Sequence, residues 1–408
     1  MGTSESSTHK WAFRPRFRRH AFGWRSQTPI KRLKEAVSEI KKVGRKDKVL
    51  AAEGAVILLE KASPALEQVD SSSGAMGNAV NRAIDELAPL IAKAPAEEKQ
   101  REKWLERLWQ AIQEDHIPYV EYLQCYWGEL CGSPERASEW ADRLIGDVRW
   151  NWTDPSAEGR HFDGIIPCLS SLFAAGRYEE LLELLDLAPF RFWPYHRWGV
   201  WALRALGRTG EALRYAENRG LNDPPLEIAL ECEALLLASG LRDEAYSRYA
   251  FEANAKSTYL ATFRAIAKKY PHKDKSRIIR DLASQTPGRE GKWFAAAKSA
   301  GLYEEAIELA NASPCDPKTL TRAARDMEAQ EPEFARQAGL TALSWMVEGY
   351  GYEISNFDVR AAYDHALAAA EQTGTRRETL ERIREIVRAE TMSDRFVTRV
   401  LGRELGLS

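Results

Sequence analysis

Four segments of this chain repeat one short pattern, and the pattern leaves little choice of fold. Each has a glycine, an acidic residue four positions later, and Ala or Leu one further on. They are Gly176-Arg177-Tyr178-Glu179-Glu180-Leu181, Gly207-Arg208-Thr209-Gly210-Glu211-Ala212, Gly240-Leu241-Arg242-Asp243-Glu244-Ala245 and Gly301-Leu302-Tyr303-Glu304-Glu305-Ala306. The glycines lie 31, 33 and 61 residues apart. The longest interval is close to two further periods, so one degenerate repeat is expected between Gly240 and Gly301. There Tyr270-Pro271 breaks one helix before a second forms over 276–283. A glycine at a helix end takes the left-handed conformation without a Cβ penalty. The acidic residues then fall in the first turn of the next helix, where its dipole favours them. The small Ala lets the two helices approach. A lone hairpin buries only part of its apolar surface, so neighbours must stack. The expected fold is all-α: a right-handed solenoid of stacked antiparallel helical hairpins, with an N-terminal helical region and a basic N-terminal arm.

The motifs resemble the tetratricopeptide family, in which a Gly, an aromatic two later and an Ala five later mark the turn between paired helices. Gly301, Tyr303 and Ala306 match all three positions; Gly176 and Tyr178 match two, with Leu181 in place of Ala. The likeness covers roughly 163–312 and extends more weakly to about 373. It departs where the family has a glycine seven residues before the turn: Leu169, Val200, Glu233 and Phe294 stand there. The resemblance therefore implies paired helices, and not the family's peptide groove.

Ahead of the repeats, Ile30, Leu33, Val37 and Ile40 recur at three and four residues, one apolar stripe that stops at Gly44. Thr28 offers an N-cap to that helix, with Pro29 at the first helical position. A second helix is expected from Asp47 to Ala62, ending at Ser63-Pro64, and a third ends before Pro95. Trp104, Leu105, Leu108, Trp109 and Ile112 make the next stripe, and further helices fit 119–131 and 134–150. No sustained alternation of apolar and polar residues argues for a strand. The expected division is an arm over 1–27, in part disordered, a helical domain over 28–150, tetratricopeptide-like repeats over 151–373 and capping helices over 374–408.

Charge is uneven along the chain. Residues 1–48 hold fourteen Lys or Arg against four Asp or Glu, a net of +10 that leaves -12 on the remainder. The five cysteines have no CxxC pair, and reduced, mostly buried thiols in a cytoplasmic protein are expected. No apolar run approaches the ~18 residues of a membrane span. Arg18-Arg19 is followed by Phe22-Gly23-Trp24 rather than by an apolar export segment. The seven histidines are scattered, none in HExxH, and no Walker, dinucleotide-binding or GxSxG motif occurs. Neither a catalytic site, a metal nor a cofactor is expected.

Candidate contact residues fall in three places. The arm interleaves aromatics with arginines: Trp11, Arg14, Arg16, Phe17, Arg18, Arg19, Trp24 and Arg25 would suit a polyanion, through guanidinium–phosphate forks and base stacking. Packing on the chain's own acidic body, or on an acidic partner protein, suits the same composition. A second basic stretch, 264–280, adds Lys268, Lys269, Lys273, Lys275 and Arg277. Phe190, Phe192 and Trp193 precede a helix in an inter-repeat turn and are candidates for a protein contact, with Trp150 and Trp152 adding to them. The 71–77 loop, of small residues before a helix, is a weaker candidate for an anion. The leading expectation is a non-catalytic scaffold with a protein partner; the alternative is a nucleic-acid-binding protein.

Overall fold

The four glycine turns are built alike. In the computed structural model, which describes residues 9–157, 162–218, 220, 223–392 and 395–407, every regular element among those residues is a helix. Gly176, Gly207, Gly240 and Gly301 take left-handed backbones, with φ of +73°, +76°, +78° and +79°. The residue after each donates its N–H to the carbonyl five positions back: Arg177 to Leu172, Arg208 to Leu203, Leu241 to Leu236 and Leu302 to Ala297, at 2.9–3.0 Å. The carbonyl of that same residue accepts from Leu181, Ala212, Ala245 or Ala306 and so opens the next helix. The four donors, Leu181, Ala212, Ala245 and Ala306, are buried completely. A Cβ at any of the four glycines would meet nothing within 4 Å. Backbone conformation, not crowding, therefore selects glycine, a preference of about 1 kcal/mol over other residues.

The described residues fall into two compact units, 1–224 and 225–408. The first carries α1 (Gln27–Gly44), α2 (Lys48–Leu66), α3 (Ala75–Ala92), α4 (Glu98–Gln113), the short α5 (Trp127–Leu130) and α6 (Pro134–Thr153). It continues with the hairpins α7 (Ile165–Ala174) with α8 (Tyr178–Leu185), and α9 (Trp193–Ala205) with α10 (Thr209–Glu217). Trp104 and Trp127 lie wholly inside, and Trp127 meets Trp109 and Trp140 edge-on at 5.5 and 4.9 Å. The buried Arg101 gives its N–H groups to the carbonyls of Ile91 (3.0 Å), Ala94 (2.5 Å) and Leu130 (3.1 Å), and so ties the end of α3 and the segment after it to the end of α5. At the edge of the same core, Glu53 accepts from Trp104 Nε1 (2.6 Å) and Arg107 (2.7 Å), which also holds Glu60.

The second unit opens with the hairpin α11 (Pro225–Ala238) and α12 (Arg242–Ala253), then α13 (Tyr259–Lys269) and α14 (Lys275–Ser284). After a 3-10 turn come α15 (Phe294–Ser299) and α16 (Tyr303–Ala312), joined at Gly301. Then α17 (Pro317–Met327), α18 (Pro332–Val347) and α19 (Asn356–Thr373) pack in succession, followed by α20 (Arg376–Arg388) and α21 (Phe396–Leu405). The degenerate repeat is present where it is expected: Tyr270-Pro271 separates α13 from α14.

Three local expectations are corrected. α1 begins at Gln27, one residue ahead of Thr28, and Pro29 is buried inside its first turn. α2 runs through Pro64 to Leu66, because Ala65 and Leu66 are fully buried and their burial outweighs one missing N–H donor. The segment expected as one helix over 119–131 is a 3-10 stretch, Glu121–Tyr126, followed by α5.

Candidate interaction surfaces

The arm lies folded on its own unit. Trp11, Phe13, Phe17 and Phe22 are all buried, in a run of ring contacts at 5.4, 6.4 and 5.4 Å. The Trp11 ring covers Gly54 of α2 so closely that a Cβ there would stand 2.3 Å from it. Polar bonds fix the backbone: Glu39 accepts the N–H groups of Ala12 (2.8 Å) and Phe13 (3.3 Å), and His20 N–H reaches the Pro64 carbonyl at 2.9 Å. Arg16 pairs with Glu35 at 3.1 Å, and Arg19 and His20 stand 3.7 and 3.2 Å from Glu67. Trp11 and Phe17 thus offer no ring face to an unpaired base. What the arm presents outward is Arg14, Arg18 and Arg25, with Trp24 71% exposed.

The basic stretch of the second unit is largely engaged by carboxylates of that unit. Lys273 pairs with Asp243 at 2.7 Å and stands over the Tyr246 ring, and Arg277 pairs with Asp281 at 2.9 Å. Lys269 bonds Glu233, a carboxylate with no exposure at all. Lys268 and Lys275 are exposed. Glu233 also accepts from Tyr270 OH at 2.6 Å and Asn254 Nδ2 at 2.7 Å. Burial, then the hydrogen bond to Glu233 and its charge, pushes the Tyr270 hydroxyl far above the ordinary tyrosine range.

The aromatic run divides at Trp193. Phe190 and Phe192 are 61% and 43% exposed, whereas Trp193 is buried at the first position of α9, its N–H bonded to Asp223 at 3.1 Å. Tyr195 braces Phe192 edge-on at 5.0 Å and itself rests on Trp152 at 5.7 Å. The exposed pair is thus backed by a chain of rings that ends in the core, where Trp152 is buried.

One feature lies outside the candidate contact residues named from sequence, except where the 71–77 loop reaches one end of it. Helices α1 and α3 leave between them a groove of about 820 Å³. Leu33, Val37, Ala79 and Ala83 line it alongside Lys34, Lys41, Lys42, Arg45 and Arg82, with Ser73 of the 71–77 loop at one end. Its signal in sequence is the spacing of Lys34, Lys41 and Arg45, which repeats at helical intervals beside the apolar stripe of α1.

Groups with catalytic potential are dispersed or quenched. No cluster of three His, Cys, Asp or Glu able to hold a metal occurs among the described residues. Burial pushes the thiols of Cys131, Cys168 and Cys315 up to about 12, and that of Cys125 upward even with Arg197 at 2.7 Å. Burial likewise lowers His196, whose Nδ1 is bonded to Tyr215 at 2.8 Å. No helix among the described residues is long and apolar enough to cross a membrane.

No family model matches the chain, and no curated protein resembles it in sequence. Among solved structures, a circular tandem repeat protein with a novel repeat topology and enhanced subunit contact surfaces aligns at 16% identity, over 93% of this chain and 83% of that one. Its TM-score is 0.14, too low to carry an argument about shared architecture. The recurrence of one hydrogen-bonded turn at Gly176, Gly207, Gly240 and Gly301 is what marks this chain as a helical repeat protein.

Proposed function

We propose that the chain is a non-catalytic interaction scaffold whose hairpins, of tetratricopeptide-like type, hold a contact surface for a protein partner. The observation that carries this is the exposed pair Phe190 and Phe192, fixed ahead of α9 by the buried Trp193 and backed by Tyr195 and Trp152. Two large rings kept in water on a rigid support are a binding hot spot in form, because little ordering entropy is left to lose when a partner covers them. The test is quantitative capture of partners from the native host by the full chain and by the double variant F190S/F192S. A protein held by the parent and lost by the variant, at unchanged Tm, supports the proposal; an identical set of captured proteins overturns it.

A second function is favoured by the outward guanidiniums of Arg14, Arg18 and Arg25 beside the exposed Trp24: binding of nucleic acid through phosphates, with Trp24 as the single stacking ring. It predicts affinity for a single-stranded oligonucleotide that falls steeply with salt and is lost in R14A/R18A/R25A. Affinity that ignores salt contradicts it.

A further inference from the structure

We propose that the α1–α3 groove is the docking site for an acidic amphipathic helix of a partner protein. The inference shares with the scaffold function only that the partner is a protein; it uses a different surface, and its test uses a defined peptide.

The argument begins with dimensions. Ile30 and Arg45 bound the groove along α1. Fifteen helical steps of 1.5 Å make that edge about 22 Å long, or roughly four turns. A helix of four turns is thus the natural length of occupant. On the α3 side the wall is built from Ala79 and Ala83, whose short side chains leave room for larger ones to enter.

The floor and the rim ask for different chemistry. Leu33, Val37 and Ala83 are nearly sealed, and the half-buried Ile30 and Ala79 continue the apolar surface between the helices. Around this floor stand five cations against one carboxylate, Glu86, which Lys41 engages at 2.7 Å. Lys34, Lys42, Arg45 and Arg82 are exposed and have no ion-pair partner among the described residues. An apolar floor within a cationic rim complements a helix with one apolar stripe flanked by Asp and Glu. Burying the stripe supplies affinity, while the charges steer encounter and fix orientation.

A nucleic acid fits less well. Among the described residues no aromatic lines the groove, so a base would find nothing there to stack on. Phosphates could pair with the rim, but the apolar floor would stay uncovered.

Fluorescence anisotropy of the full chain with a labelled peptide of about 18 residues decides the matter. The peptide carries leucines at helical i, i+3, i+4, i+7 spacing and glutamates elsewhere; a second peptide has the same composition with the stripe shuffled, and a third probe is a single-stranded DNA. The patterned peptide is expected to bind at least about tenfold more tightly than either. A79W, which fills the groove from its wall, abolishes that preference, and K34E/R82E weakens binding with a smaller salt dependence. F190S/F192S binds the peptide as the parent does, which separates this surface from the aromatic one. Equal affinity for the patterned and shuffled peptides, tighter binding of DNA, or full affinity in both A79W and K34E/R82E overturns the proposal.

Discussion

Within the second unit, two neighbouring connections hold their helices by different means. At Gly240 the chain reverses between α11 and α12 mainly on backbone bonds: a left-handed glycine, one N–H five residues back, and the first carbonyl of the next helix, with the Ser239 hydroxyl donating to the Leu235 carbonyl at 2.9 Å beside them. Between α13 and α14 no glycine is present, and side chains take over. Glu233 of α11 gathers Asn254 at the end of α12 with Lys269 and Tyr270 at the end of α13. Tyr246 of α12 donates to Asp281 of α14 at 2.9 Å, and Lys273 returns to Asp243. The difference is instructive about cost. A backbone turn leaves no buried group dependent on a distant partner, whereas a buried carboxylate is stabilising only while every partner is in place.

The largest effect should come from removing the node's centre. E233A strands Lys269, Tyr270 and Asn254 and is expected to destabilise the second unit by about 3 kcal/mol, read by urea unfolding. Y270F removes one hydrogen bond to a charged acceptor and should cost about 1.5 kcal/mol. G240A forces a Cβ into a left-handed backbone with free space around it, for a cost of about 1 kcal/mol. A G240A loss larger than that of E233A would reverse the comparison. Acid should act last and least. The hydrogen bond from Lys273, then its charge, holds the exposed Asp243 carboxyl below the ordinary carboxylate range. Its contribution is therefore present above the unfolded value of about 3.9 and is lost as pH falls through the lower folded value. Tm measured across that window should fall less in K273M than in the parent, with the gap between the two present above the window and closing below it.

The backbone turns were legible because every determinant lies within eleven residues of sequence. One was still missed: Gly374 has φ +72°, Thr375 donates to Ala370 at 2.9 Å, and Glu378 stands four residues on. The fully buried Thr379 fills the slot that Ala or Leu fills elsewhere, which hid the pattern. Gly349 ends α18 with the same bonds, Tyr350 to Trp345 at 2.9 Å, but no helix follows directly. The Glu233 node was not legible, since its members are up to 37 residues apart and only the folding of α11, α12 and α13 brings them together. The arm was readable in composition and not in outcome. Its rings find α1 and α2 because Gly54 leaves room for Trp11, a fit between segments more than forty residues apart. The α1–α3 groove was half legible: the cationic stripe of α1 is in the sequence, while Arg82, Ala79 and Ala83 join it only through the placement of α3.

Native-state hydrogen exchange, followed by mass spectrometry on parent, E233A and G240A, tests the contrast between backbone-held and side-chain-held hairpins most directly. E233A should lose protection as one block across 242–284, while G240A should show a smaller loss centred on 232–248. Equal protection of 242–284 in E233A and the parent, or a wider loss in G240A than in E233A, would contradict the account.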